Sequence, residues 1–103
     1  MKEGRLAELF SLVRQIPPGR VSYYGRIGRL LAQPVSGLLV GKWMGCSEPD
    51  VPWWRVVGRD GTIKTFKRGP EAGLKQRMLL EQEGVEFDEE GRVLSRHFWD
   101  EFA

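Results

Sequence analysis

The side chains able to do covalent chemistry are few in this chain, and they stand apart. Cys46 is the one thiol and His97 the one imidazole. A thiol attacks as its thiolate, which requires a base or a cation close by. The stretch "MGCSEPD" offers no histidine and no cation, so Cys46 reads as a loop thiol. His97, beside Phe98 in the aromatic run "HFWDEF", reads as a packing residue, and Glu83 is a base only if something reactive faces it. A single cysteine excludes an internal disulfide, and one cysteine with one histidine makes no zinc set. No catalytic residue, metal or cofactor is expected.

A different chemistry is open to "PWWRVVGRDG". Aromatic rings beside cations stack on unpaired bases or line the pocket that receives a flipped base. In an extended strand Trp53 and Trp54 point to opposite faces, giving one ring to the core and one to a pocket. Arg26, Arg29, Lys42, Arg55, Arg59, Lys64, Lys67 and Arg68 gather in the same part of the sequence, as phosphate contacts require. Residues 1–80 hold 14 Lys and Arg against 6 Asp and Glu, whereas residues 81–103 hold 2 against 8. A body at +8 and a tail at −6 suit a polyanion partner for the body, with the tail turned away or offered to another protein.

The elements that would position these groups follow from periodicity. Leu6, Leu9, Phe10, Val13 and Ile16 recur at helical spacing before "PPG". Ser22 is placed to cap a helix in "SYYGRIGRLLA" that ends before Pro34, and Ser36 to cap a third in "GLLVGKWM" with Leu39, Val40, Trp43 and Met44 inward. Two short helices with a tight connection have the look of a helix-turn-helix. "WWRVV" and "TIKTF" flank "GRDG" and predict a β-hairpin wing. Residues 71–83 are helical again, with Gly84 at the C′ position. "VEF", "DEEG" and "RVL" then form a β-like tail with a turn. The fold class expected is α+β, mostly helical, with a winged helix-turn-helix in a single domain over 1–103. With 41% hydrophobic and 29% charged residues, no membrane-length apolar stretch and no signal peptide, a cytoplasmic monomer is expected.

The blocks "IPPGRVSYYGRIGRLL" (16–31), "VGKWM" (40–44), "PWWRVVGRDGTI" (52–63) and "LLEQEG" (79–84) resemble, in order and spacing, the C-terminal DNA-binding domain of the O6-alkylguanine-DNA alkyltransferases. In those enzymes the block at 52–56 reads Pro-Cys-His-Arg-Val, and the cysteine accepts the alkyl group. Trp53 stands at that position and Trp54 at the histidine's. The likeness is therefore to the alkyltransferase-like proteins, which bind alkylated guanine without repairing it and mark it for nucleotide excision repair. The resemblance implies double-stranded DNA containing alkylated guanine as the partner, with nucleotide excision repair proteins as further partners. It also implies a lesion pocket of Trp53, Tyr24, Trp54, Arg55, Trp99 and one of Lys67 or Arg68. DNA contacts are implied from Leu38, Ser36, Gly37, Lys42, Arg26 and Tyr23, and Glu83 matches the acidic end of the enzymes' proton relay. The family pattern Ala-Arg-x-Val-Gly carries an arginine that fills the gap left by the extruded base; "SGLLVG" puts Leu38 there, and apolar wedges also enter base stacks. Two alternatives stay open: an active alkyltransferase using Cys46, and a protein-interaction module that has lost lesion binding.

Overall fold

Leu9, Val13 and Ile16 are fully shielded from solvent, and the helix that carries the first two, α1 (Lys2–Arg14), ends just before Pro17 and Pro18. The computed structural model describes residues 2–46 and 48–103. Among the described residues no helix is long and apolar enough to cross a membrane.

Beyond Gly19 the chain departs from the helical reading. Ser22 does not cap a helix: Ser22–Tyr23 is strand β1, and α2 (Tyr24–Leu30) starts behind it with no side-chain cap. β1 runs parallel to β2 (Val56–Val57), with Ser22 opposite Val56 and Tyr23 opposite Val57. Val21, Val56 and Val57 are fully buried, and burying three β-branched side chains on a pleated surface outweighs one capping hydrogen bond. The Ser22 hydroxyl is buried and has no hydrogen-bond partner among the described residues.

α3 (Gly37–Met44) opens as expected, the Ser36 hydroxyl accepting from the Leu39 N–H at 3.2 Å. α2 and α3 meet across glycine. A Cβ on Gly28 would lie 2.3 Å from the Val35 carbonyl oxygen, and one on Gly37 would lie 2.8 Å from the Gly25 nitrogen. Backbones this close fix the angle between the two helices, and larger residues at either position would push them apart.

The predicted β-hairpin is not formed. Its turn closes, with the Gly58 N–H donating to the Thr62 carbonyl at 2.8 Å and Asp60 accepting from the Thr62 N–H. The two arms do not pair: Trp53–Arg55 is a 3-10 turn, β2 pairs with β1, and Lys64–Arg68 is a second 3-10 turn. Lys64–Arg68 is drawn instead onto α4 (Pro70–Gln82), where Thr65 bonds Gln76 and the Phe66 ring covers Gly73 so tightly that a Cβ there would lie 2.2 Å from it. Beyond the end of α4, Gly84 terminates the helix: its φ of +87° lets the Val85 N–H reach back to the Leu80 carbonyl at 3.0 Å. Its buried side is Gly73, Gln76 and Leu80, whereas Leu74 and Met78 face solvent.

Phe87 and Val93 form an antiparallel bridge around the turn at 88–91, and Val21 bridges Phe98. Two apolar clusters result. One joins α1, α2 and α3 with Val51 and Val56; the other joins Val21, Val57, Leu80, Val85 and Val93.

Candidate nucleic-acid interface

α3 presents Leu38, 76% exposed, one position inside its N-terminus. Beside it lies an open groove of about 440 Å³, walled by α2, α3, the Gly58 turn and the Lys64–Arg68 turn. Among its described lining residues are five cations, Lys42, Arg59, Lys64, Lys67 and Arg68, and no carboxylate. Such a lining concentrates positive potential where a phosphate backbone would run.

A second cavity of about 280 Å³ adjoins the groove, and the two share Tyr24, Thr65 and Arg68. Its other walls are Met44, Gly45, Glu48, Pro49, Trp53 and Ala72. That volume leaves room for one flipped base.

The paired tryptophans part company by a route other than strand alternation. Their rings meet edge to face, centroids 5.9 Å apart at 88°. Trp53 packs on the first apolar cluster and walls the cavity. Trp54 turns into the second cluster, and its indole N–H donates to Glu83 Oε2 at 2.9 Å. It does not wall the cavity, which corrects its expected place in the lesion pocket. Arg55 likewise turns away: its Nη2 donates to Glu83 at 2.7 Å, its Nη1 to the Ile16 carbonyl at 2.9 Å, and its guanidinium lies 5.3 Å from the Trp54 ring centre. Glu83 also accepts from the Gly19 N–H at 3.0 Å. Burial works against its ionised form, but the donors from Arg55, Gly19 and Trp54 outweigh it and hold the carboxyl below the usual range.

Arg68 and Lys67 are told apart by position. Arg68 walls both cavities and donates from Nη2 to the Gly41 carbonyl at 3.0 Å, strapping its turn to α3. Lys67 walls the groove alone. Tyr24 stands where the two cavities meet; burial raises its phenol above the ordinary value against the opposing charge of Arg68, so it is a neutral O–H at pH 7.

Other expected residues lie elsewhere. Trp99 packs edge to face on Phe102, centroids 4.7 Å apart, against the first apolar cluster, and walls neither cavity. Its backbone N–H pairs with the Val21 carbonyl at 2.9 Å, which holds the tail away from the cavity. Arg26 is paired with Asp100 at 2.6 Å, and Tyr23 packs on Phe98 with its hydroxyl held by Arg29 at 2.9 Å; neither lines the groove. Ser36 acts as the α3 cap, while Gly37 and Lys42 line the groove with Leu38.

Cys46 is exposed and walls neither cavity. His97 accepts from the Glu86 N–H at Nε2, 3.1 Å, and faces the Gly19 carbonyl from Nδ1 at 3.3 Å, a pairing satisfied by the neutral ring with its proton on Nδ1. No group of three or more potential metal ligands occurs among the described residues. Sequence reasoning passed over Thr65, Gln76 and Glu48, since an isolated polar side chain gives no sign of burial or of cavity position.

Comparison with known proteins agrees with this geometry. A DNA base-flipping protein of Vibrio parahaemolyticus is 34% identical over 96 residues, covering 90% of this chain and 92% of that protein. Alkyltransferase-like protein 1 of Schizosaccharomyces pombe is 42% identical over 82 residues, 77% of this chain and 74% of that one. The crystal structure of S. pombe Atl1 in complex with damaged DNA containing O6-carboxymethylguanine matches with a TM-score of 0.78 at 36% identity, over 97% of each chain. Residues 6–85 match the family model described as the DNA binding domain of 6-O-methylguanine DNA methyltransferase, and the chain belongs to that family.

Proposed function

We propose that this protein is a non-enzymatic reader of O6-alkylguanine in duplex DNA: α3 enters the minor groove, the alkylated base rotates out of the stack, and the cavity walled by Trp53 receives it. One observation carries the reading. An indole forms one wall of a cavity roomy enough for a flipped base, and that cavity adjoins a groove whose charged lining residues are all cations. The relatives named for base flipping and the match to a complex with damaged DNA support it.

Each step has a group to perform it. Lys42, Arg59, Lys64 and Lys67 meet phosphates along the groove. Leu38, already exposed, fills the space vacated by the base. Extrusion costs a few kcal/mol and least for a damaged, poorly paired base, so preference for the lesion begins in the DNA itself. The base passes Tyr24, stacks on Trp53, and meets the guanidinium donors of Arg68.

Transfer of the alkyl group does not follow. The indole nitrogen's lone pair belongs to the aromatic system, and Trp54 offers Glu83 a donor where a relay needs a group that both takes and gives a proton. A bound but unrepaired lesion has to be removed by excision, which makes nucleotide excision repair the consumer of the flagged site.

Fluorescence anisotropy on two duplexes differing by one O6-methyl group tests the reading. Tighter binding of the modified duplex is expected. Equal affinities would return the chain to the class of protein-interaction modules.

A further inference from the structure

Behind the cavity, one fully buried amide joins three of the elements that wall it. Gln76 has no solvent exposure. Its Nε2 donates to the Trp54 carbonyl at 3.0 Å and to the Val56 carbonyl at 2.9 Å, and its Oε1 accepts from the Thr65 hydroxyl at 2.6 Å. The amide thus reaches three places at once: α4, the backbone where the Trp53–Arg55 turn becomes β2, and the Lys64–Arg68 turn.

The carbonyls it satisfies belong to the residue after Trp53 and to the first residue of β2, so the amide fixes where the Trp53 ring leaves the backbone. The hydroxyl it receives belongs to the turn that ends in Arg68, whose other end is tied to the Gly41 carbonyl of α3 at 3.0 Å. A buried amide with both N–H groups and its oxygen engaged holds its partners in place, because breaking any bond strands a polar group away from water.

We infer that Gln76 is the positioning residue of the lesion cavity: through Thr65 and the Trp54 and Val56 carbonyls it sets the separation between the Trp53 ring and the Arg68 guanidinium, and with it the discrimination between alkylated and plain guanine. This rests on the proposed lesion-reading function. Gln76 touches no DNA; it acts through the turns that carry Trp53 and Arg68, while Lys42, Arg59 and Leu38 of the groove lie outside the elements it bonds.

The test pairs Gln76→Met, which keeps length and volume but removes all three bonds, with Thr65→Val, which removes the hydroxyl while keeping its shape. Affinities for duplexes with and without O6-methylguanine are measured for both variants, their double mutant and Val93→Ala, a core control for lost stability. The expected result is a fall of about five-fold or more in the lesion-to-plain affinity ratio for Gln76→Met, with plain-duplex affinity held within about two-fold. Thr65→Val should lower the ratio less, and the double mutant should lose less than the two singles together, because the two variants share the Thr65–Gln76 bond. An unchanged ratio in folded Gln76→Met, a fall matched by Val93→Ala, or strict additivity overturns the inference.

Should Gln76→Met fail to fold, Thr65→Val decides by a readout without DNA. The indole N–H resonance of Trp53 and the Arg68 Nε resonance should shift or broaden while those of Trp43 and Trp99 stay, and unmoved signals reject the inference. A wild-type ratio near one instead removes the proposed function, and the resonance shifts then still decide whether Gln76 positions the cavity.

Discussion

Trp54 Nε1 and Arg55 Nη2 converge on a single oxygen of Glu83, at 2.9 and 2.7 Å. The carboxylate that matches the end of the alkyltransferases' proton relay is occupied entirely by donors. An indole N–H gives a hydrogen bond and accepts none, so no proton can travel from position 54 to Glu83. The pair is architectural: it ties the turn bearing Trp53 to the end of α4 and, through the Gly19 N–H, to the turn after α1.

Glu83→Gln should therefore cost stability rather than chemistry. Arg55 and Glu83 have side chains 13% and 15% exposed, and removing the charge from one leaves the other poorly compensated, a loss of about 2–4 kcal/mol. Urea unfolding at neutral pH measures it. The pH dependence gives a second check. Because the folded pKa lies below the unfolded one, the stabilisation is complete above the ordinary carboxylate range near ~4.3 and is lost as pH falls through the lower folded value. Asp50, Asp60 and Asp88 are lowered as well, so the quantity to follow is wild type minus variant. That difference should shrink toward zero in acid, and a pH-independent difference would disprove the assignment.

Trp53→Ala should remove lesion preference and leave the fold. Stacking on an aromatic ring contributes about 1–3 kcal/mol per base, roughly a five- to 160-fold change in affinity for the alkylated duplex. The plain duplex, which does not fill the cavity, should bind as before. Arg68→Ala should lower lesion affinity and also loosen the strap to the Gly41 carbonyl, whereas Lys67→Ala should weaken both duplexes alike. Titrations with both duplexes separate these patterns.

The legible parts of the molecule were those with a local cause. The Ser36 cap, the break at Pro17 and Pro18 and the Gly84 terminus are each dictated by one residue's backbone or side-chain chemistry. Period-two alternation predicted that the Trp53 and Trp54 rings diverge, and a 3-10 turn delivers that divergence, but the expected pocket held both rings and Trp54 does not wall the cavity. The hairpin was not legible. "WWRVV" and "TIKTF" have strand composition on both sides of a good turn, yet β2 finds its partner at Ser22–Tyr23, far back in the chain, and Lys64–Arg68 is captured by Gln76 and Gly73 of α4. Long-range pairing of this kind leaves no periodic trace. Trp99 misled for the same reason: a tail aromatic has no local signal of which surface it will cover, and it covers the first apolar cluster.

Cys46 should stay unmodified by alkylated DNA. It is exposed and walls neither cavity. Intact-protein mass spectrometry after incubation with O6-methylguanine duplex should return the unmodified mass. A gain of one methyl group would establish an alkyltransferase.

The exposed Leu38 leads to a prediction about salt. With about four phosphates neutralised by the groove cations, log affinity should fall against log salt with a slope of roughly −4. Leu38 carries no charge, so Leu38→Ala should leave that slope alone while weakening lesion binding by about 1–2 kcal/mol of lost apolar burial. Leu38→Arg puts a cation where the alkyltransferases' pattern has one; it should tighten both duplexes and steepen the slope by about one, with the greater gain at low salt. If Leu38→Ala instead flattens the slope, or Leu38→Arg changes neither slope nor affinity, then α3 does not enter DNA by this residue and the groove has been assigned to the wrong ligand. Because Leu38 is 76% exposed, none of these variants disturbs the core, and the titrations read DNA contact without a stability correction.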